Sequence, residues 1–253
     1  MVARAFRGAL PSYYTFFIPI PSLSLKFFLV LAATLAVDVI NINLYAKAFE
    51  ESSMSIALPF FSFSPIFTTI IGFFILKELP TMFGIFGIIL VVAGAYIINS
   101  EGLKNGLMTP FMRMFRERGP MLMLGAAFMS SIAASLGKIL LIESSPLFFS
   151  ATYFSFFSIA FIPLVAVKVK NPIAMLRSSW GVLLPMGMFF GASLLFHALA
   201  ISSGLVAYVI SVKRVHILFG VLFGLYFFGE GSAARRIAAT ALMLAGILLM
   251  TLF

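Results

Sequence analysis

Asp38 is the one acid of eight that falls near the middle of a long apolar run; the other seven stand at run ends or between runs. Asn41 and Tyr45 follow it at i+3 and i+7, which places all three on one helical face. Ser193 and His197, four residues apart, form a second polar pair in an apolar run. A third run carries Ser211, Lys213, Arg214 and His216. A charge at the centre of a bilayer costs about 2.5–3.5 kcal/mol on insertion scales, so the few polar groups in such runs are the informative ones. An acid there can carry a proton or contact a cation, adjacent bases can hold an anion, and the neutral groups can line a shared cavity. Each has a packing alternative. Asp38 and Asn41 can fix helix packing through a buried contact. Lys213 and Arg214 can bond backbone carbonyls or Asp38. The two bases lie roughly 12 Å into their run at 1.5 Å per residue, and their side chains leave the helix about 100° apart. One snorkelling route therefore cannot serve both.

The remaining polar groups read differently. Lys138 shares a face with Ser131 and Ser135 but is a few residues from the end of its run, so it is expected to snorkel to the interface. Glu78 and Glu230 stand at run ends, where capping or a loop contact is the first reading and substrate contact the second. Intramembrane enzymes fit poorly. A two-aspartate protease needs a second Asp within the runs, H-E-x-x-H and the P-loop pattern are absent, and no G-x-S-x-G elbow supports a Ser–His dyad using His197 or His216. The reading is not an enzyme, and no metal or organic cofactor is implied. The chain has no cysteine, which excludes disulfides and thiolate chemistry.

The elements that must position these residues follow from composition. Of 253 residues, 62% are hydrophobic and 10% charged, against about 25% charged in soluble domains. A soluble chain of this size could not hide so much apolar surface. Eight runs are long enough to span a bilayer, at about 26–49, 55–77, 82–99, 119–142, 147–168, 180–202, 205–228 and 234–252. They are longer than barrel strands and continuously apolar, so they are helices. The segment 100–118, with Lys104, Arg113, Arg116 and Arg118 among Phe and Met, reads as an amphipathic surface helix or as a solvated linker. Residues 1–25, interrupted by Pro11, Pro19 and Pro21, read as an interfacial or remnant segment rather than a cleaved signal. The net charge of +9 belongs to the connections and sets topology, not nucleic-acid binding. Lys47, Lys104, Arg113, Arg116, Arg118, Lys168, Lys170, Arg177, Arg235 and Arg236 fall on one side, and Arg4, Arg7, Lys26 and Lys77 on the other. The richer side is expected in the cytoplasm, which leaves both termini outside.

A shift of 152 residues registers the two halves. Phe67 falls on Phe219, Gly72 on Gly224, Glu78 on Glu230, and Ala93-Gly94 on Ala245-Gly246. Asn41 and Tyr45 fall on Ser193 and His197. The second half has five runs and the first three plus a fragment, so complete halves would be oppositely oriented. Ser64-Pro65-Ile66-Phe67-Thr68, Gly72, Ile75-Leu76-Lys77-Glu78, Gly84, Gly87 and Gly94 resemble the drug/metabolite transporter superfamily, EamA type. So does the second copy, Ser211-Val212-Lys213-Arg214-Val215, Phe219-Gly220-Val221, Gly224, Phe228-Gly229-Glu230 and Ala245-Gly246. The resemblance covers about residues 26–252 and departs from the family in lacking its first two helices. It implies an all-α, polytopic membrane protein of about eight transmembrane helices in two inverted repeats, the first incomplete. The organisation is then 1–25 remnant, 26–99 first repeat, 100–118 connection and 119–253 second repeat. It further implies a secondary transporter of a small organic solute, working by alternating access in the plasma membrane. The substrate would be anionic or amphipathic, since a Lys-Arg pair like Lys213-Arg214 contacts anionic substrate in the sugar-phosphate and nucleotide-sugar carriers of that superfamily. Asp38, Asn41, Tyr45, Ser193, His197, Lys213 and Arg214 are the expected substrate-binding residues. The alternative is a non-transporting membrane interaction protein dependent on a partner, with a homodimer as one way to complete the first half.

Overall fold

The computed structural model describes residues 21, 23–52, 54–99, 117–214, 216 and 233–252. Among these the regular structure is entirely helical: α1 (Leu25–Glu51), α2 (Met54–Phe61), α3 (Ser64–Leu76), α4 (Met82–Asn99), α5 (Arg118–Ile142), α6 (Pro146–Lys168), α7 (Pro172–Ser203), α8 (Val206–Lys213) and α9 (Ala233–Leu252). Five helical stretches are long and apolar enough to cross a bilayer, and Met82–Ile97 and Ala238–Leu252 are shorter apolar helices. The expected class holds: this is a polytopic helical membrane protein. Most of the expected segments 100–118 and 1–25 (residues 100–116, 1–20 and 22) and the second half of the 205–228 run lie outside the described residues.

Two boundaries differ from the sequence reading. The 55–77 run is one apolar stretch but two helices. Pro65 has no N–H to give the Phe61 carbonyl, and Pro59 sits inside α2, so the ladder fails between them. The chain turns there through tight bonds, Ser62 N–H to the Pro59 carbonyl and Phe63 N–H to the Phe60 carbonyl, both 3.2 Å. The 180–202 run begins earlier, at Pro172, where the Asn171 side chain accepts from Ala174 N–H at 3.1 Å. At 32 residues α7 is roughly 48 Å long, longer than the ~30 Å hydrocarbon layer, so its Arg177-bearing first turns extend past it.

The chain divides into two compact units. The first holds the start of α1 to Ala36, the end of α5 from Leu136, α6 and α7. Phe27 is buried against Phe148, with ring centroids 6.2 Å apart. Ser145 caps α6 by accepting from Phe148 N–H at 3.2 Å. Phe154 and Phe157 of α6 meet Phe190 of α7. At one end Glu143 accepts from Ser24 Oγ at 2.6 Å and pairs with Lys26 at 3.0 Å. The Ser24 hydrogen bond and then Lys26 hold the Glu143 carboxyl below the usual carboxylate range.

The second unit holds α1 from Val37, α2, α3, α4, α5 to Ser135, α8 and α9. Lipid tails are as apolar as Leu, so helices here associate by close packing rather than by escape from water. Buried Ala48, Ala57, Phe60, Met123 and Ala126 pack α1, α2 and α5 together. The α4–α9 pair approaches to backbone contact. A Cβ added at Gly87 would lie 2.5 Å from the Gly246 carbonyl oxygen, and one at Gly246 would lie 2.5 Å from the Gly87 oxygen. Seven residues on, a Cβ at Gly94 would lie 2.6 Å from the Ala239 oxygen. Contacts that advance on one helix and retreat on the other make the pair antiparallel. The shift of 152 carries Gly87 onto Ala239 and Gly94 onto Gly246, so it exchanges these two contacts. The same shift carries α2 onto α8 end for end, and the Ser62 turn onto the Arg214 turn, where Arg214 N–H bonds the Ser211 carbonyl at 3.0 Å.

Candidate functional site

The two related turns meet at a cavity of about 290 Å³ in the second unit. Its lining comes from Tyr45 of α1, Leu58 and Phe61 of α2, Ser62 at the break, Ser130 of α5, Ile210 and Lys213 of α8, and Arg214 and His216 beyond it. Two of these carry fixed positive charge and none is an acid.

Arg214 is held from two sides. Its guanidinium lies over the Phe61 ring, 4.5 Å from the centroid, and it donates to Ser64 Oγ. Ser64 is itself fixed, because its carbonyl accepts from Ser131 Oγ at 3.0 Å. Arg214 Nε is buried and has no hydrogen-bond partner among the described residues. A buried, unsatisfied donor on a cation is costly and favours an acceptor arriving from the cavity. His216 Nδ1 meets the Lys213 carbonyl at 2.6 Å, which closes the end of α8. Tyr45 packs edge-on to Phe49 and Phe61, with centroids at 4.8 and 5.4 Å, so the wall against which Arg214 lies is aromatic.

Of the residues expected from sequence, Tyr45, Lys213 and Arg214 come together here. Asn41 and Asp38 lie one and two turns further back on α1, half-buried, and are not in the lining. The Asn41 side-chain oxygen is buried with no hydrogen-bond partner among the described residues. Ser193, exposed, and His197, half-buried, stand on α7 in the first unit. Sequence reasoning missed Ser62 and Ser130 and left His216 without a role. The signal for Ser62 was its place between Pro59 and Pro65. Ser130 carried none, since it is one of several serines in α5. Among the described residues no group of three His, Cys, Asp or Glu is placed to hold a metal.

At the other end of α8 stands Glu78, which follows α3. Lys77 ends α3 in the left-handed conformation, φ 59°, and turns the chain so that Glu78 Oε2 accepts from Val206 N–H at 2.9 Å. Glu78 therefore caps α8, the first of the two readings from sequence. Close by, the Tyr208 hydroxyl accepts from Thr81 N–H at 3.2 Å and lies against Gly84. The start of α8 is thus pinned to the end of α3, and the end of α8 to the start of α3, so these helices run antiparallel.

The comparison with known families matches this architecture. The model of the EamA-like transporter family matches residues 3–100 and 117–252. The chain belongs to the EamA-like transporter family. It is an integral membrane protein of a family of transporters rather than enzymes. A search of curated proteins gives no match.

Proposed function

We propose that this chain is a secondary transporter that carries a small organic solute bearing an anionic group, by alternating access. The observation that carries the reading is the cavity at the two related helix turns, where the Arg214 Nε lacks an acceptor beside Lys213. Broken helices at a repeat interface are where such transporters place their solute. Lys213 and Arg214 hold the anionic group, Arg214 through charge-assisted hydrogen bonds. Ser62 and Ser130 take polar substituents, and Tyr45 and Phe61 face the apolar or planar part. A volume of about 290 Å³ stands at the small end of ligand sites, which suits a metabolite. Asp38 is proposed as the proton-linked or cation-contacting group, with Asn41, Ser193 and His197 as neutral lining along the route. The membrane is proposed to be the plasma membrane, with the base-rich connections in the cytoplasm.

The test is uptake by proteoliposomes containing the purified chain, screened against amino acids, sugar phosphates and organic cations. Uptake of a carboxylate or phosphate, weakened by both Lys213→Gln and Arg214→Gln, supports the reading. Uptake of cations alone, or of anions untouched by either substitution, overturns it.

A further inference from the structure

Neither α6, nor α7, nor the turn between them carries an acid, for none occurs between Glu143 and Glu230. The bases of this stretch, Lys168, Lys170 and Arg177, fall where α6 ends and α7 begins. Lys170 and Arg177 are exposed and, among the described residues, in no ion pair. Arg177 borders a hollow of about 490 Å³ at this end. Further along, an open groove of about 990 Å³ runs between the two helices, walled by Phe154, Phe157 and Phe161 of α6 and by Gly181, Pro185 and Phe189 of α7. Arg177, Gly181, Pro185 and Phe189 follow one another at i+4, so the base stands at the head of the stripe that lines the groove. Phe190 joins the two walls, its ring 6.0 and 6.2 Å from those of Phe154 and Phe157. The one polar side chain in the lining is Ser158, and its hydroxyl already donates to the Phe154 carbonyl at 2.8 Å. A Cβ added at Gly181 or Gly187 meets nothing within 4 Å.

We propose that this groove is a site for an anionic phospholipid, with one acyl chain along the aromatic wall and the phosphate held by Arg177 and Lys170. The dimensions fit. From Gly181 to Phe190 the groove follows α7 for roughly 14 Å, about half of the ~30 Å hydrocarbon layer and so the depth of one leaflet. Arg177 stands one turn before it, at headgroup level, because the first turns of α7 extend past the hydrocarbon. A groove without a free hydrogen-bonding side chain suits an acyl chain. It does not suit the solute of the cationic cavity, which needs polar partners. Charge selects the lipid, because exposed bases with no acid beside them attract an anionic headgroup, about fivefold for each base. Charge also selects against a second copy of this chain. A two-fold axis along the membrane normal would bring the two Arg177 ends together. The site is separate from the transport reading and stands without it.

The chain supplies its own probe. Trp180 is its single tryptophan, exposed and placed between Arg177 and Gly181. The protein is reconstituted in phosphatidylcholine vesicles, and Trp180 fluorescence is followed as phosphatidylglycerol brominated in its acyl chains replaces part of the lipid. A matched series uses brominated phosphatidylcholine. Half-maximal quenching should come at a mole fraction about 25-fold lower for the anionic lipid, the product of two bases at about fivefold each. Arg177→Gln and Lys170→Gln should each cut that preference about fivefold. Lys77→Gln, which removes the same charge from the end of α3, should leave it. Gly181→Leu fills the groove without altering charge and should abolish the preference. If that variant fails to fold, the two base substitutions decide alone. Equal quenching by the two lipids means that only the surrounding bilayer touches Trp180, and overturns the site. A preference that survives both base substitutions, or survives a folded Gly181→Leu, overturns it too. So does a Trp180 that neither lipid quenches, because protein then covers the groove.

Discussion

Replacing Gly87 with Ala tests whether the α4–α9 pair is held by backbone contact. The added Cβ would sit 2.5 Å from the Gly246 carbonyl oxygen and 2.6 Å from Met250 Cγ. An ordinary carbon–oxygen contact is about 3.3–3.6 Å, so about 1 Å of separation must be found. Met250 can rotate away, but the carbonyl moves only with α9. Overpacking of this kind costs about 1–3 kcal/mol. Gly246→Ala should cost a similar amount, because its Cβ meets the Gly87 oxygen at the same 2.5 Å and Val91 backbone nitrogen at 3.0 Å. The double variant should cost less than the sum, since one displacement relieves both clashes. Gly181→Ala is the control. Nothing lies within 4 Å of its added Cβ, and Ala is favoured over Gly inside a helix by about 1 kcal/mol. The assay is reversible unfolding in mixed micelles titrated with denaturing detergent. If Gly87→Ala is as stable as Gly181→Ala, the close approach of α4 and α9 is wrong.

Three further outcomes are expected. Lys77→Gly should stabilise the chain and Lys77→Ala destabilise it, each by about 0.5 kcal/mol, in the same unfolding assay; Gly removes left-handed strain, whereas Ala keeps the strain and loses the cation contact with Phe73 at 5.9 Å. The depressed Glu143 carboxyl contributes stability above the ordinary carboxylate range and loses it as pH falls through its lowered value; the thermal difference between the wild type and Glu143→Gln should be present at pH ~7 and vanish well below the usual Glu value of ~4.3. A reporter fused after Phe253 that fluoresces only in the cytoplasm should stay dark, and a bright fusion with the 100–118 segment labelled from outside would reverse the topology.

Most helices were legible because lipid imposes a simple rule: a continuous apolar run of about 20 residues must satisfy its own backbone, and only a helix does so. The break between α2 and α3 was not legible from hydropathy. Pro59 and Pro65 lie in a run that stays apolar throughout, and proline inside a membrane helix does not by itself announce a turn. The repeat shift was more informative. It paired Gly94 with Gly246 and, through the helix bounds, α2 with α8. It could not show that Gly87 rather than Gly94 meets Gly246, because register within a repeat says nothing about packing between repeats. The same limit explains the site. Lys213 and Arg214 stood out as charges deep in an apolar run, and both line the cavity. Asn41 and Tyr45 had identical standing in the sequence, yet one turn of α1 separates the lining residue from the one that is not. Ser193 and His197 were inferred as their repeat partners, an argument about position along the chain rather than place in the fold.

The central claim is that the cationic cavity holds the solute this chain moves. Counterflow in proteoliposomes preloaded with one candidate anion at a time measures it most directly, comparing the wild type with Arg214→Gln at matched amounts of folded protein. The account predicts that at least one small carboxylate or phosphate accumulates against its labelled gradient in the wild type and that Arg214→Gln abolishes this. Accumulation that persists in Arg214→Gln, or its absence for every anion alongside uptake of cations, would contradict it.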